Sequence, residues 1–170
     1  SSNVSGVTEM KIDLSGKVAL ITGSSRGIGR GCAVEMAAAG ADIAINYHSH
    51  ADDAENVAQE VRAHGQRAVT IGADVGDRTA VDRMIKETVG ALGKVDIIVC
   101  NAYYSEREPF LDMSIDGMKK TLDVSLWGAF HTAQSGARQM VAQGSGGSLL
   151  FISSVMSFMP FSGSLAYSTA

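Results

Sequence analysis

Five short apolar runs, separated by longer segments of helical spacing, constrain this chain more than any other feature. They occupy residues 17–22 (KVALIT), 41–47 (ADIAINY), 67–75 (RAVTIGADV), 94–102 (KVDIIVCNA) and 147–154 (GSLLFISS). The runs are rich in β-branched residues and mostly lack polar–apolar alternation, the pattern of parallel strands covered on both faces. Between them, helical spacing spans 27–39, 51–64, 77–91 and one long stretch, 114–143. Gly40, Gly65, Gly93 and Gly144 follow these stretches, where a residue without a Cβ closes a helix at little steric cost. Strictly alternating strands and helices joined by short turns build a doubly wound parallel sheet, an α/β fold of the Rossmann type. Residues 153–170 read as a loop running into the first turn of another helix. The expectation is therefore a sheet with five visible strands that is incomplete at its C-terminal side, residues 11–170 being the front portion of a longer single-domain fold. The polar opening, residues 1–10, is expected to be a flexible tail.

Composition narrows the function classes. A chain of 170 residues can bury one sizeable core but not two ordinary ones. A formal charge of −4 without any basic run gives no electrostatic footprint for nucleic acid or an anionic membrane, so neither partner is expected. No apolar run is long enough to span a bilayer, and the opening lacks the apolar stretch of a secretion signal, which together imply a cytoplasmic protein. Cys32 and Cys100 lie in apolar-patterned segments and read as buried thiols in a reducing compartment.

The chemistry concentrates where the first strand gives way to a helix. Residues 22–29 read TGSSRGIG, placing Gly23, Gly27 and Gly29 where bare backbone N–H groups and a helix N-terminus can receive a diphosphate. NAD-type folds place a carboxylate at the end of the second strand to hold the ribose hydroxyls. Here Asn46 and Tyr47 stand instead. Neither repels a 2′-phosphate, and Arg26 can pair with one through its planar fork, which favours NADP and leaves NAD possible. His48 and His50, beside Asp52 and Asp53, read as a solvated loop, and no metal site is expected.

The ordered set TGSSRGIG, ADV at 73–75, NA at 101–102, and ISS ending thirteen residues ahead of the tyrosine of YSTA resembles a classical short-chain dehydrogenase/reductase. The similarity covers residues 11–170 and points to the branch holding 3-oxoacyl-(acyl carrier protein) reductases and glucose 1-dehydrogenases. It implies cofactor contacts from Thr22, Gly23, Ser25, Arg26, Gly27, Ile28 and Gly29, from Asn46 and Tyr47, from Asp74 and the Val75 backbone, and from Asn101 and Ala102. It makes Tyr167 the proton donor or acceptor and Ser154 the group that hydrogen-bonds the substrate oxygen. That division suits hydride transfer, in which one group must steady a developing oxyanion and another protonate it. The implied activity is NADP-dependent reduction of a 3-oxoacyl thioester. A glucose-type sugar dehydrogenase and a catalytically silent dinucleotide-binding protein are the alternatives.

Three points set this chain apart from the family pattern. Ser125, assigned to the catalytic set, stands where an asparagine is usual, and Tyr103 puts bulk where a glycine is usual. The lysine expected four positions after Tyr167 would fall just past Ala170, on the tyrosine's own helix face. Asp74 also has a simpler reading, as a helix cap for the following segment GDRTA, 76–80. Met156, Phe158, Met159 and Phe161 read as a substrate wall or as packing. Trp127, Phe130 and His131 fall on the helix that the resemblance places at a subunit contact in a homo-oligomer, a dimer or tetramer.

Overall fold

The computed structural model describes residues 12–170, so the tail expected over 1–10 lies outside the described residues. Strand β1 (Val18–Ile21) leads to helix α1 (Gly27–Ala38), β2 (Asp42–Tyr47), α2 (Ala51–Ala63), β3 (Ala68–Gly72), α3 (Arg78–Leu92) and β4 (Ile97–Cys100). Then come α4 (Ile115–Leu122), a π-helical turn (Asp123–Trp127), α5 (Gly128–Ala142), β5 (Ser148–Phe151), a 3-10 turn (Val155–Ser157) and α6 (Leu165–Thr169). The five strands form one sheet in the order β3-β2-β1-β4-β5, every pair parallel. The doubly wound α/β sheet expected from the sequence is the observed fold.

Residue alternation in β1 explains how one sheet serves two cores. Val18 and Leu20 point into a cluster with Val81, Met84 and Ile85 of α3 and Ala133 and Met140 of α5. Ala19 and Ile21 point the other way, against Ala33 and Ala37 of α1 and Val57 and Val61 of α2. Both faces are covered, which is why the run reads as continuously apolar. The closing glycines behave as expected: Gly40, Gly65, Gly93 and Gly144 all have φ between 75° and 103°.

Several local expectations are corrected. The helix expected over 114–143 is interrupted by the π turn, where Gly128 N–H reaches Asp123 O. One extra residue per turn re-phases the side chains without breaking the helix, so apolar periodicity does not reveal it. The third run ends as a strand at Gly72, leaving Asp74 and Val75 in the loop beyond it. The cap of α3 is Asp77, whose carboxylate accepts from Thr79 N–H at 2.8 Å, and not Asp74. Cys100 is buried but Cys32 only half-buried.

Candidate functional site

Strand order reverses between β1 and β4, since one chain connection leads left to β2 and the other right to β5. Crevices open at the carboxyl ends of strands at such a switch point. A cleft of about 2150 Å³ lies there, and every residue expected in the site lines it except Thr22 and Gly29. Those two sit behind its wall.

Thr22 is 2% exposed and acts as a hub. Its hydroxyl donates to Val99 O at 3.3 Å and accepts from the N–H groups of Asn101 and Ala102, at 2.9 and 3.1 Å. Asn101 returns the bond, its side-chain amide donating to Thr22 O at 2.9 Å and Gly23 O at 3.1 Å. The turns after β1 and β4 are thus sewn together by the buried Thr22 and the half-buried Asn101, whose polar groups would be costly to leave unpaired. Gly29 is obligatory for this packing. A Cβ on it would lie 2.6 Å from Asn101 Nδ2 and 2.7 Å from Gly23 O.

Asn46 has a role that the sequence did not disclose. Expected beside the ribose, it is 2% exposed, and its amide is spent on protein. Its Oδ1 accepts from Gly23 N–H at 3.1 Å, while Nδ2 donates to Ile71 O at 3.2 Å and Ala73 O at 3.1 Å. It ties the glycine turn to β2 and β3. Tyr47 is half-buried, its ring lying against Gly72. Signals for such rivets are weak in sequence, because a polar residue at a strand end reads equally well as a ligand.

The remaining residues of this end face the cleft. Gly27 has φ 57°, and no heavy atom lies within 4 Å of where its Cβ would project, so backbone is bared to open space. Arg26 and Ile28 are exposed, Ser25 is buried, and the Arg26 side chain has no partner among the described residues. Asp74 is exposed, its Oδ1 accepting from Gly76 N–H at 2.9 Å and its Oδ2 lying 3.9 Å from His48 Nε2. The Val75 side chain packs against Gly128, and Val75 O accepts from His131 Nδ1 at 3.3 Å. These features fit a nicotinamide dinucleotide: open backbone for the diphosphate, an unpaired guanidinium for a further phosphate, and a carboxylate nearby for hydroxyl or amino groups.

At the other end stand the residues expected to carry the chemistry. Ser154 follows β5 and starts the 3-10 turn, its Oγ accepting from Met156 N–H at 3.2 Å. Its hydroxyl proton has no acceptor among the described residues and remains available. Tyr167 is half-buried in the first turns of α6, its hydroxyl likewise without a partner among the described residues. Its ring meets that of Tyr103 edge-on, centroids 5.7 Å apart at 67°. Ser125, on the π turn, accepts from Tyr104 N–H at 3.1 Å and donates to Tyr104 O at 3.0 Å. Its hydroxyl is therefore a bracket for the loop after β4. Cys100 lines the same cleft, and burial pushes its thiol up to about 11, which keeps it protonated and inert near neutrality.

Comparison with known proteins agrees with this geometry. The family model for short chain dehydrogenases matches residues 17–170. The chain is 42% identical over 142 residues to an L-rhamnose 1-dehydrogenase (NAD(P)(+)) of Sphingomonas sp. (strain SKA58), covering 84% of this chain and 56% of that protein. It is 37% identical to a 3-oxoacyl-(acyl-carrier-protein) reductase of Staphylococcus aureus, covering 82% of this chain and 56% of that one. A solved short chain dehydrogenase from Burkholderia cenocepacia J2315 in complex with NADP superposes with a TM-score of 0.86 at 36% identity, covering 92% of this chain and 63% of that one. The chain thus spans a little over half the length of these curated relatives.

Proposed function

This chain belongs to the short-chain dehydrogenase/reductase family, and from that premise we propose that it carries the cofactor half and the reacting groups of an NADP-dependent oxidoreductase. The observation that carries the reading is the shared cleft: Gly27, Arg26 and Asp74 line one end, Ser154 and Tyr167 the other. A nicotinamide held there would supply or receive the hydride at the substrate carbon. Gly27 and the α1 N-terminus would hold its diphosphate, Arg26 a 2′-phosphate, and Asp74 the adenine end. As a carbonyl is reduced, its π electrons move onto oxygen. Ser154 Oγ–H donates a hydrogen bond to that oxygen, and the Tyr167 hydroxyl gives it a proton. Oxidation of a secondary alcohol runs the same steps backwards. Ser125 works by positioning the loop after β4 rather than by touching substrate.

The substrate classes in view are a 3-oxoacyl thioester and a sugar, since relatives of both names match over more than four fifths of this chain. Among the described residues no helix is long and apolar enough to cross a membrane, and a cytoplasmic location is part of the proposal. Self-association is another part. Trp127 and Phe130, each 48% exposed and edge-on to each other at 5.9 Å, offer an apolar contact at the α4–α5 junction.

The test is steady-state turnover in the full-length gene product. Tyr167→Phe should lower kcat roughly 10²- to 10⁴-fold, the usual contribution of a general acid, with NADPH affinity within about twofold. Arg26→Ala should weaken NADP(H) binding about tenfold, as loss of a charge-assisted pair worth roughly 1–3 kcal/mol requires, and leave NAD(H) unchanged. Equal losses for both cofactors would remove the NADP assignment, and near-normal turnover by Tyr167→Phe would remove the proton donor.

A further inference from the structure

Tyr103 stands beside the reacting tyrosine, yet neither the hydride transfer nor the cofactor contacts described above use it. Its placement is fixed from both sides. On one side, Ala102 N–H is held by Thr22 Oγ1 at 3.1 Å. On the other, the Tyr104 backbone is clasped at N–H and C=O by Ser125 Oγ. The Tyr104 ring is anchored as well, its hydroxyl donating to Glu106 Oε2 at 2.8 Å and its face covered by Lys120 Nζ at 4.2 Å from the centroid. Of two adjacent tyrosines, one is therefore held at its backbone, its hydroxyl and one ring face. The other is 65% exposed and presents its ring to the cleft that Ser154 and Tyr167 also line.

We propose that Tyr103 is the specificity-determining wall of the substrate site, bracing Tyr167 edge-on and offering its free face to a ring-shaped substrate, a sugar ring or cyclic ketone, in preference to an extended acyl thioester. The inference rests on the hydride-transfer reading above. Tyr103 meets the Tyr167 ring at 5.7 Å and 67°, a favourable edge-to-face geometry that resists rotation of the acid out of line. A substrate whose oxygen lies against the Tyr167 hydroxyl must pass close to the Tyr103 ring. A rigid ring with C–H bonds on one face can lie on that surface without losing internal freedom, whereas a flexible acyl chain must freeze several torsions to make the same contact. Because the residues around Tyr103 are hydrogen-bonded in place, the wall exists before substrate arrives.

Two measurements on the full-length gene product decide the matter. In the first, kcat/KM is measured for L-rhamnose with NADP+, for cyclohexanone with NADPH, and for the N-acetylcysteamine thioester of acetoacetate with NADPH. The wild type should prefer the two ring substrates. Tyr103→Gly should cut that preference at least tenfold, mainly through KM, and Tyr103→Phe should restore it to within about threefold of wild type, as a stacking surface without need of its hydroxyl requires. An unchanged preference in Tyr103→Gly, or a wild type that prefers the thioester, would overturn the proposal. In the second, the protein is labelled with 3-fluorotyrosine, and the Tyr167 signal is assigned by its absence in Tyr167→Phe. That signal should move in Tyr103→Leu and stay nearly in place in Tyr103→Phe. An unmoved signal in Tyr103→Leu refutes the ring contact whatever the turnover. Turnover of none of the three carbonyl or alcohol substrates by the wild type would overturn the hydride-transfer reading and the specificity claim together, and so is told apart from a failure of Tyr103 alone.

Discussion

Strands β1 and β5 are both four-residue parallel strands of one sheet, yet all four residues of β1 are buried and all four of β5 are exposed. The difference is position. β1 pairs on both sides, with β2 and β4, and has helices over both faces, while β5 pairs only with β4 and leaves Phe151 58% exposed. The same contrast runs through the cleft. The end lined by Gly23 and Gly27 is built on buried and half-buried hydrogen bonds from Thr22, Asn46 and Asn101, and the end with Ser154 and Tyr167 rests on the mostly exposed segment 151–163 that precedes α6. One end is thus locked by side-chain hydrogen bonds to backbone across neighbouring strands, whereas the other presents exposed side chains among the described residues.

Substitutions should divide along that line. The largest effect is expected from Gly29→Val. Its added atoms meet Asn101 and the Gly23 carbonyl at contact distances no side chain tolerates, and overpacking of this kind costs about 3 kcal/mol or more. Thermal denaturation of the full-length protein should show the loss, together with failure to bind NADPH. Asn46→Leu comes next. It strands Gly23 N–H and the carbonyls of Ile71 and Ala73, for roughly 2–3 kcal/mol by denaturant titration. The smallest effect should come from the open end. Phe158 is 86% exposed, so Phe158→Ser should change stability by less than about 0.5 kcal/mol. A loss comparable to that of Asn46→Leu would show that Phe158 is covered in the complete protein and would narrow the contrast between the two ends.

Much of this was legible in the sequence because its signals are local. Helix ends are marked by glycines at positive φ, and strands covered on both faces are marked by unbroken apolar runs, so the elements fall within a residue or two of expectation at α1 and α2. The glycine turn was likewise visible in the sequence, while Ser154 and Tyr167, singled out by the resemblance, line the same cleft. What escaped depends on distant partners. Asn46 looks like a ligand until β3 is placed beside β2 and four backbone groups are found around its amide. Asp74 reads as a cap until α3 is seen to begin at Arg78, where the carboxylate of Asp77 takes the Thr79 N–H. The π turn inserts one residue into a helix whose apolar spacing tolerates the shift, and only its consequence, Ser125 on Tyr104 and Gly128 against Val75, gives it away.

The central claim, that the built end of the cleft receives a nicotinamide dinucleotide, is tested most directly by amide hydrogen exchange of the full-length gene product with and without saturating NADPH. The account predicts slower exchange concentrated at residues 23–29, 73–76 and 101–103, with α3 residues such as Lys86, on the far side of the sheet's core, unchanged. Saturable binding without protection at 23–29, or protection centred elsewhere, would contradict it.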